Sequence, residues 1–268
     1  MKTIGTVLGT RGRPNTPNEF HFWIPQEEES LAIGSVVKVE AQGRVVYGIV
    51  EGMEAYSDIE DFLLHQLSRG GDPEVMPPNR EPSVIVCRAR VLRQEADRPL
   101  RDGRVTYPER EELEGLFNVE GCRIPFGVFI NTDGVAVPVK VDERYLLGYE
   151  GAHVNISGMS GLGAKTSAFL FVLSSIFAHS EERVACIIFN IKGDDLLYVG
   201  EPSQYLTRED RGRYVLCGIE PRGFKARFFA PAGAFGAQSL KEEIEIFRWG
   251  YKEVEEYIPS LLRAGAQD

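Results

Sequence analysis

Cysteine and histidine are scarce in this chain, with four of each in 268 residues. Cys87, Cys122, Cys186 and Cys217 form no CxxC pair, and His21, His65, His153 and His179 make no HExxH or comparable ligand spacing. No structural zinc is predicted, and the thiols read as free and buried, since Cys186 and Cys217 lie in apolar runs. No run approaches the ~20 consecutive apolar residues of a membrane-spanning helix. A basic-then-apolar leader is also missing, Lys2 being followed by Gly5, Thr6, Gly9 and Thr10. These absences predict a cytoplasmic protein with no membrane contact. Net positive charge is lacking too. The formal balance of −10 excludes a surface that coats nucleic acid all over, although a few inward cations in a ring lumen remain compatible with it.

What is present is a cored, foldable composition, 43% hydrophobic and 26% charged, long enough for one large domain or two ordinary ones. The first part is strand-rich. Thr3–Leu8 reads as a strand, and Glu19–Ile24 (EFHFWI) alternates apolar and polar positions. Ser35–Glu40, a turn at Ala41–Gly43 and Arg44–Val50 read as a hairpin. Ser83–Leu92 is another strand, placing Arg88, Arg90 and Leu92 on one face by the period of two. Phosphate contact and a solvated face are both open to those arginines, the second being the plainer reading. A helix is expected over Ser57–Ser68 and a loop over Gly70–Pro82. A second helix is expected over Pro108–Phe117, with proline and acids in its first turn. Strands at Arg123–Ile130 and Val135–Val141 complete this half. Such spacing predicts a small barrel or sandwich over residues 1–145.

From about residue 146 the pattern changes. His153–Ser157 (HVNIS) reads as a short strand, a glycine-rich loop follows, and Lys165–His179 is apolar nearly all round, as a helix buried on several sides would be. Val184–Asn190 (VACIIFN) is a continuous apolar run, the mark of a parallel strand covered on both faces. This order predicts a βαβ unit. Further strands are expected at Arg213–Gly218 and Ala226–Ala230, and helix over residues 239–264.

The loop between strand and helix, Ser157–Ser167 (SGMSGLGAKTS), carries the chemistry. A phosphate-binding loop needs glycines so that successive backbone N–H groups converge on phosphate oxygens. It also needs a lysine to reach the β- and γ-phosphates, and a hydroxyl for Mg²⁺. Gly158, Gly161 and Gly163 supply the bends, Lys165 the charge and Thr166 the hydroxyl, while the following helix directs its positive N-terminus at the same anion. The usual spacing has glycines six and one residues before the lysine, where this chain has Met159 and Ala164. A one-residue insertion, with Ala164 entering the helix at negative φ, accommodates both. A glycine-rich strand-to-helix turn without a ligand is the bland alternative.

Ile124–Phe129 (IPFGVF), Val135–Asp142 (VAVPVKVD), Leu146–Ser167 and Ile187–Leu197 (IIFNIKGDDLL) resemble, in that order, the HerA-like P-loop ATPases of the HerA/FtsK branch. The resemblance is sharpest over residues 146–197. It implies an α/β protein with an N-terminal β-barrel of the HAS type, running into the first part of a RecA-like sheet. It further implies a hexameric, DNA-translocating ATPase that works with a nuclease or a phage-defence effector enzyme and uses ATP and Mg²⁺. By position it assigns Gly158, Ser160, Gly161, Leu162, Gly163, Ala164, Lys165, Thr166 and Ser167 to nucleotide binding, with Thr166 on Mg²⁺. Asp194 and Asp195 follow a core strand's carboxyl end, where they would help order Mg²⁺ or water; a helix N-cap ahead of Leu196 is the other reading.

The branch also needs a later apolar strand ending in acid, to hold Mg²⁺ through water and activate the attacking water. Nothing past the loop supplies one: Ala226–Ala230 runs into Pro231, and Ile246–Phe247 into Arg248. The catalytic glutamate and the arginine acting across subunits stay unassigned. The chain therefore reads as the front portion of such an ATPase or half of a split one. Its alternative is a non-catalytic, nucleotide-binding scaffold for a partner enzyme. A small-molecule kinase fits less well, because of the long strand-rich front.

Overall fold

The computed structural model describes residues 2–25, 30–41, 43–56, 84–95, 97–148, 151, 153–158, 164–190, 195–232, 244–248, 250 and 255. The expected helix at Ser57–Ser68, the loop at Gly70–Pro82 and residues 159–163 of the glycine-rich segment lie outside them. The chain divides into two units, residues 1–158 with 168–182, and residues 159–167 with 183–268.

The first unit is built on a closed, six-stranded antiparallel barrel. Its strands are β1 (Thr3–Val7), β2 (Glu19–Ile24), β3 (Val36–Ala41), β4 (Arg44–Tyr56), β5 (Val84–Gln94) and β6 (Arg104–Thr106), in the ring order β1-β2-β5-β4-β3-β6. The alternation in EFHFWI sends Phe20, Phe22 and Ile24 inward, where they pack with Ile4, Val37, Val39, Val46, Val50, Cys87 and Val105. Strand β6 was not expected from sequence. Three residues leave little periodicity to read, yet β6 pairs with both β1 and β3 and so shuts the ring. Closure removes every free barrel edge, which settles barrel against sandwich.

β3 is covered on both sides. Val37 and Val39 face the barrel core, while Val36 packs outward on Leu113 of α1 (Arg110–Phe117) and on Val137. Helix α1 opens with a capping box between Glu109 and Glu112 and carries Glu111 and Glu112 in its first turn. β7 (Ile124–Ile130) and β8 (Ala136–Val141) are strands as expected, but they form a separate antiparallel pair outside the barrel. A short helical turn, α2 (Arg144–Leu147), follows. α3 (Ala164–His179) matches the expected helix, and its later turns lie against β7, where the Ser175 hydroxyl donates to the Pro125 carbonyl at 2.6 Å. Val172, Leu173 and Ile176 are buried, whereas Phe177 is 46% exposed, so the burial is one-sided rather than all round.

The second unit departs from the sequence expectation. His153–Ser157, which the first unit contains, and Val184–Asn190 are not strands. Ile187 and Phe189 are 82% and 83% exposed: among the described residues, nothing covers the run that its composition marked as interior. Arg213–Gly218 is not a strand either. It lies largely in helix α4 (Arg208–Leu216), set by a reciprocal Thr207–Asp210 capping box and by Glu209 and Asp210 in the first turn. β9 (Phe228–Pro231) overlaps the strand expected at Ala226–Ala230. Residues Ile244–Phe247, expected as helix, form β10 and run parallel to β9 in register Ile244 to Phe228. Alternating Ile244, Ile246 with Glu245 is a strand pattern, and the two Glu245 oxygens accept from Arg227 Nε and one terminal guanidinium nitrogen, at 2.8 and 2.7 Å.

Candidate functional site

Of the residues assigned to nucleotide, Gly158 is exposed at the end of the segment after β8, and Ser160, Gly161, Leu162 and Gly163 fall outside the described residues. Ala164 opens α3, placing Lys165 and Thr166, both half-buried, and exposed Ser167 in its first turn. The first four N–H groups of an α-helix have no partner within it and carry its partial positive charge. Helices α1 and α4 answer that charge with acids of their own in the first turn, whereas α3 has none there and carries a lysine instead. The α3 N-terminus therefore carries no acid of its own in the first turn.

Asp194 lies outside the described residues, and Asp195 begins a 3₁₀ turn, Asp195–Tyr198. Among the described residues no three His, Cys, Asp or Glu side chains group as a metal site would require. Of the arginines in the basic Arg208–Arg227 stretch, Arg213 pairs with Glu209 and Asp210, and Arg227 with Glu245.

The cysteines follow their packing. All four are free, and Cys87 and Cys217 are buried, but Cys122 is half-buried and Cys186 exposed, which corrects the expectation of four buried thiols. Burial pushes the Cys87 thiol up to about 12. Arg88 and Arg90 of β5 sit on a solvated, ion-paired face: Arg90 meets Glu51 at 2.7 Å, and Arg88 lies 3.9 Å from Glu19.

A polar cluster that sequence reasoning missed joins the barrel to α1. Lys38, only 5% exposed, lies 2.6 Å from both Glu40 and Glu112, and the Tyr47 hydroxyl donates to Glu112 at 3.0 Å. Burial works against the Lys38 charge, but its bonds to Glu112 and Glu40 outweigh that and hold its pKa well above the usual lysine range. Burial likewise opposes ionised Glu112, and the bonds from Lys38, Glu109 N–H and Tyr47 bring it below the usual carboxylate range. The only signal in the sequence was a lysine inside an apolar strand. This cluster is structural, because each charge is spent on a neighbour.

No family model matches the chain, and no curated protein matches it. Among the described residues, no helix is long and apolar enough to cross a membrane.

Proposed function

We propose that this chain is the ATP-binding front portion of a HerA-like ATPase, with residues 1–145 as an assembly and partner module and 146–268 as the first part of a RecA-like nucleotide domain. The observation that carries the reading is the start of α3: a helix of 16 residues that begins directly after the glycine-rich sequence, with Lys165 and Thr166 in its first turn and no acid there. Lys165 would meet the β- and γ-phosphates, Thr166 would ligate Mg²⁺, and the loop's backbone N–H groups would cradle the phosphates. In the complete assembly this is a hexameric DNA translocase acting with a nuclease or defence effector. Calorimetry with Mg-ATP tests it. Lys165→Ala removes charge-assisted contacts of roughly 1.5–3 kcal/mol, so its affinity falls by about tenfold or more. Equal affinities of the two proteins reject the reading.

A second reading, a nucleotide-binding scaffold without turnover, is favoured by the parallel pair β9 and β10. They end at Pro231 and Phe247, and neither ends on a carboxylate.

A further inference from the structure

His21 occupies an outward position of β2, between the inward Phe20 and Phe22, yet is 7% exposed. The connection before β2 covers it. The Asn15 side chain accepts the His21 backbone N–H at 2.8 Å, and Arg13 anchors the connection to Glu54 on β4. Beneath that cover the ring Nδ1 has no hydrogen-bond partner among the described residues. A cleft of about 280 Å³ opens at the ring, lined by Arg13, Thr16, Glu19, Glu54 and Arg88. It is made by strand geometry: Arg88 is the cross-strand neighbour of both His21 and Gly52, and β4 is bulged between Val50 and Gly52.

The cleft holds unused donors on Arg88 and Thr16. Arg88 makes no hydrogen bond among the described residues, its one ion pair being the 3.9 Å approach to Glu19. The Thr16 oxygen accepts from Asn18 N–H at 3.3 Å, and its own proton remains for another acceptor. Glu54 is engaged by Arg13, and Glu19 lies 3.8 Å from His21 Nε2, so an incoming cation would face two guanidiniums. We propose that the cleft binds a small oxyanion, phosphate or carboxylate, between the Arg88 guanidinium and the His21 ring, with the Thr16 hydroxyl as a third donor.

The proposal carries a proton. Glu19 favours the ring proton on Nε2, which leaves Nδ1 bare, so donation to the ligand requires the imidazolium, bridging Glu19 and the anion. The groups facing the ring are Glu19 on β2, Arg88 on β5, Glu54 on β4 and Arg13 from the covering connection. Burial foremost, with Arg13 and Arg88, depresses the pKa of the empty site against the pull of Glu19 and Glu54. An oxyanion reverses that balance, so binding takes up a proton and tightens by about tenfold for each unit that pH falls, over the range between the two ring pKa values.

The experiment is solution NMR of the histidine Cε1–H resonances in the full chain carrying Lys165→Ala, which removes the lysine of the glycine-rich loop. Sodium phosphate and sodium acetate are titrated separately at constant ionic strength, and His21 is identified by its absence in His21→Gln. A saturable shift of His21 and a raised titration midpoint are expected, with affinity at least tenfold weaker in Arg88→Gln and intermediate in Arg88→Lys. His153 and His179 should not follow. Response to phosphate alone or to both salts decides which oxyanion the site takes. Absence of a saturable shift in either salt, or undiminished affinity in both Arg88 variants, overturns the proposal.

Discussion

The carboxamide of Asn131 closes both backbone hydrogen bonds of Val36: Oδ1 accepts from its N–H at 2.8 Å and Nδ2 donates to its carbonyl at 3.1 Å. A side chain from the β7–β8 turn thus takes the place of a strand partner at the start of β3. Asn131→Ala leaves two buried backbone groups unsatisfied at a cost of about 1–3 kcal/mol each. Asn131→Asp keeps the acceptor but loses the donor, and should fall between Ala and wild type. Chemical denaturation ranks the three; equal stabilities would mean that water replaces the amide.

Lys38 and Glu112 make a second tie between the same layers, and the two ends are unequal. Lys38→Met leaves Glu112 its bonds from Tyr47 and Glu109, whereas Glu112→Ala strips Lys38 of one carboxylate, Tyr47 of its acceptor and α1 of its capping box. Glu112→Ala is therefore the costlier, at roughly 3 kcal/mol or more, and Lys38→Met should cost less. The ionised Glu112 contributes stability that is present above its unfolded pKa, about 4.3, and is lost as pH falls through its lower folded value. Glu112→Gln should accordingly flatten the loss of stability below about pH 4 in acid melts. An unchanged acid limb refutes the linkage.

Gly48 on β4 is where the ring of Phe20 sits. A Cβ there would lie 2.6 Å from Phe20 Cε1 and 3.1 Å from the Arg90 carbonyl. Gly48→Ala should destabilise the barrel by about 1–3 kcal/mol through overpacking, and Phe20→Leu in the same chain should recover part of that loss. Thermal melts of the single and double variants test both statements.

The thiols provide a solvent-access test of the second unit. Cys186 should react with a thiol reagent well before Cys87 and Cys217, with Cys122 between, as their exposures dictate. Mass spectrometry of timed samples gives the order. Protection of Cys186 equal to that of Cys87 would restore the covered strand expected from VACIIFN.

Turnover separates the two functional readings. With neither β9 nor β10 ending on a carboxylate, the chain should bind Mg-ATP without robust hydrolysis, because a positioned water and a neighbour's arginine, ~10³–10⁵ in rate in related systems, are needed too. Steady hydrolysis abolished by Lys165→Ala would exclude the scaffold reading.

The barrel was legible where each strand buries one face. Phe20, Phe22 and Ile24 keep a period of two, and Val46 with Val50 keeps it on β4. β6 was not legible, since its role comes from ring closure rather than from its own pattern. In the second unit composition misled. Tyr214, Val215 and Leu216 look strand-like, but the Thr207–Asp210 capping box decided for helix and stands openly in the sequence. The continuous apolar run 184–190 signals a covered strand only when neighbouring strands cover it, a non-local condition that no window of sequence contains. The helix over Lys165–His179 was legible because its run of apolar residues is local.

The pairing of β4 with β5 sets Tyr56 opposite Val84, a geometry that a two-residue turn is able to join. The register of β4 on β5 is therefore compatible with a short connection as well as a long one. Loop entropy rises only by about 0.6 kcal/mol for each doubling of length, so the barrel is nearly indifferent to how much chain this junction carries. It is a seam in the architecture, where the strand register alone does not fix the length of the chain.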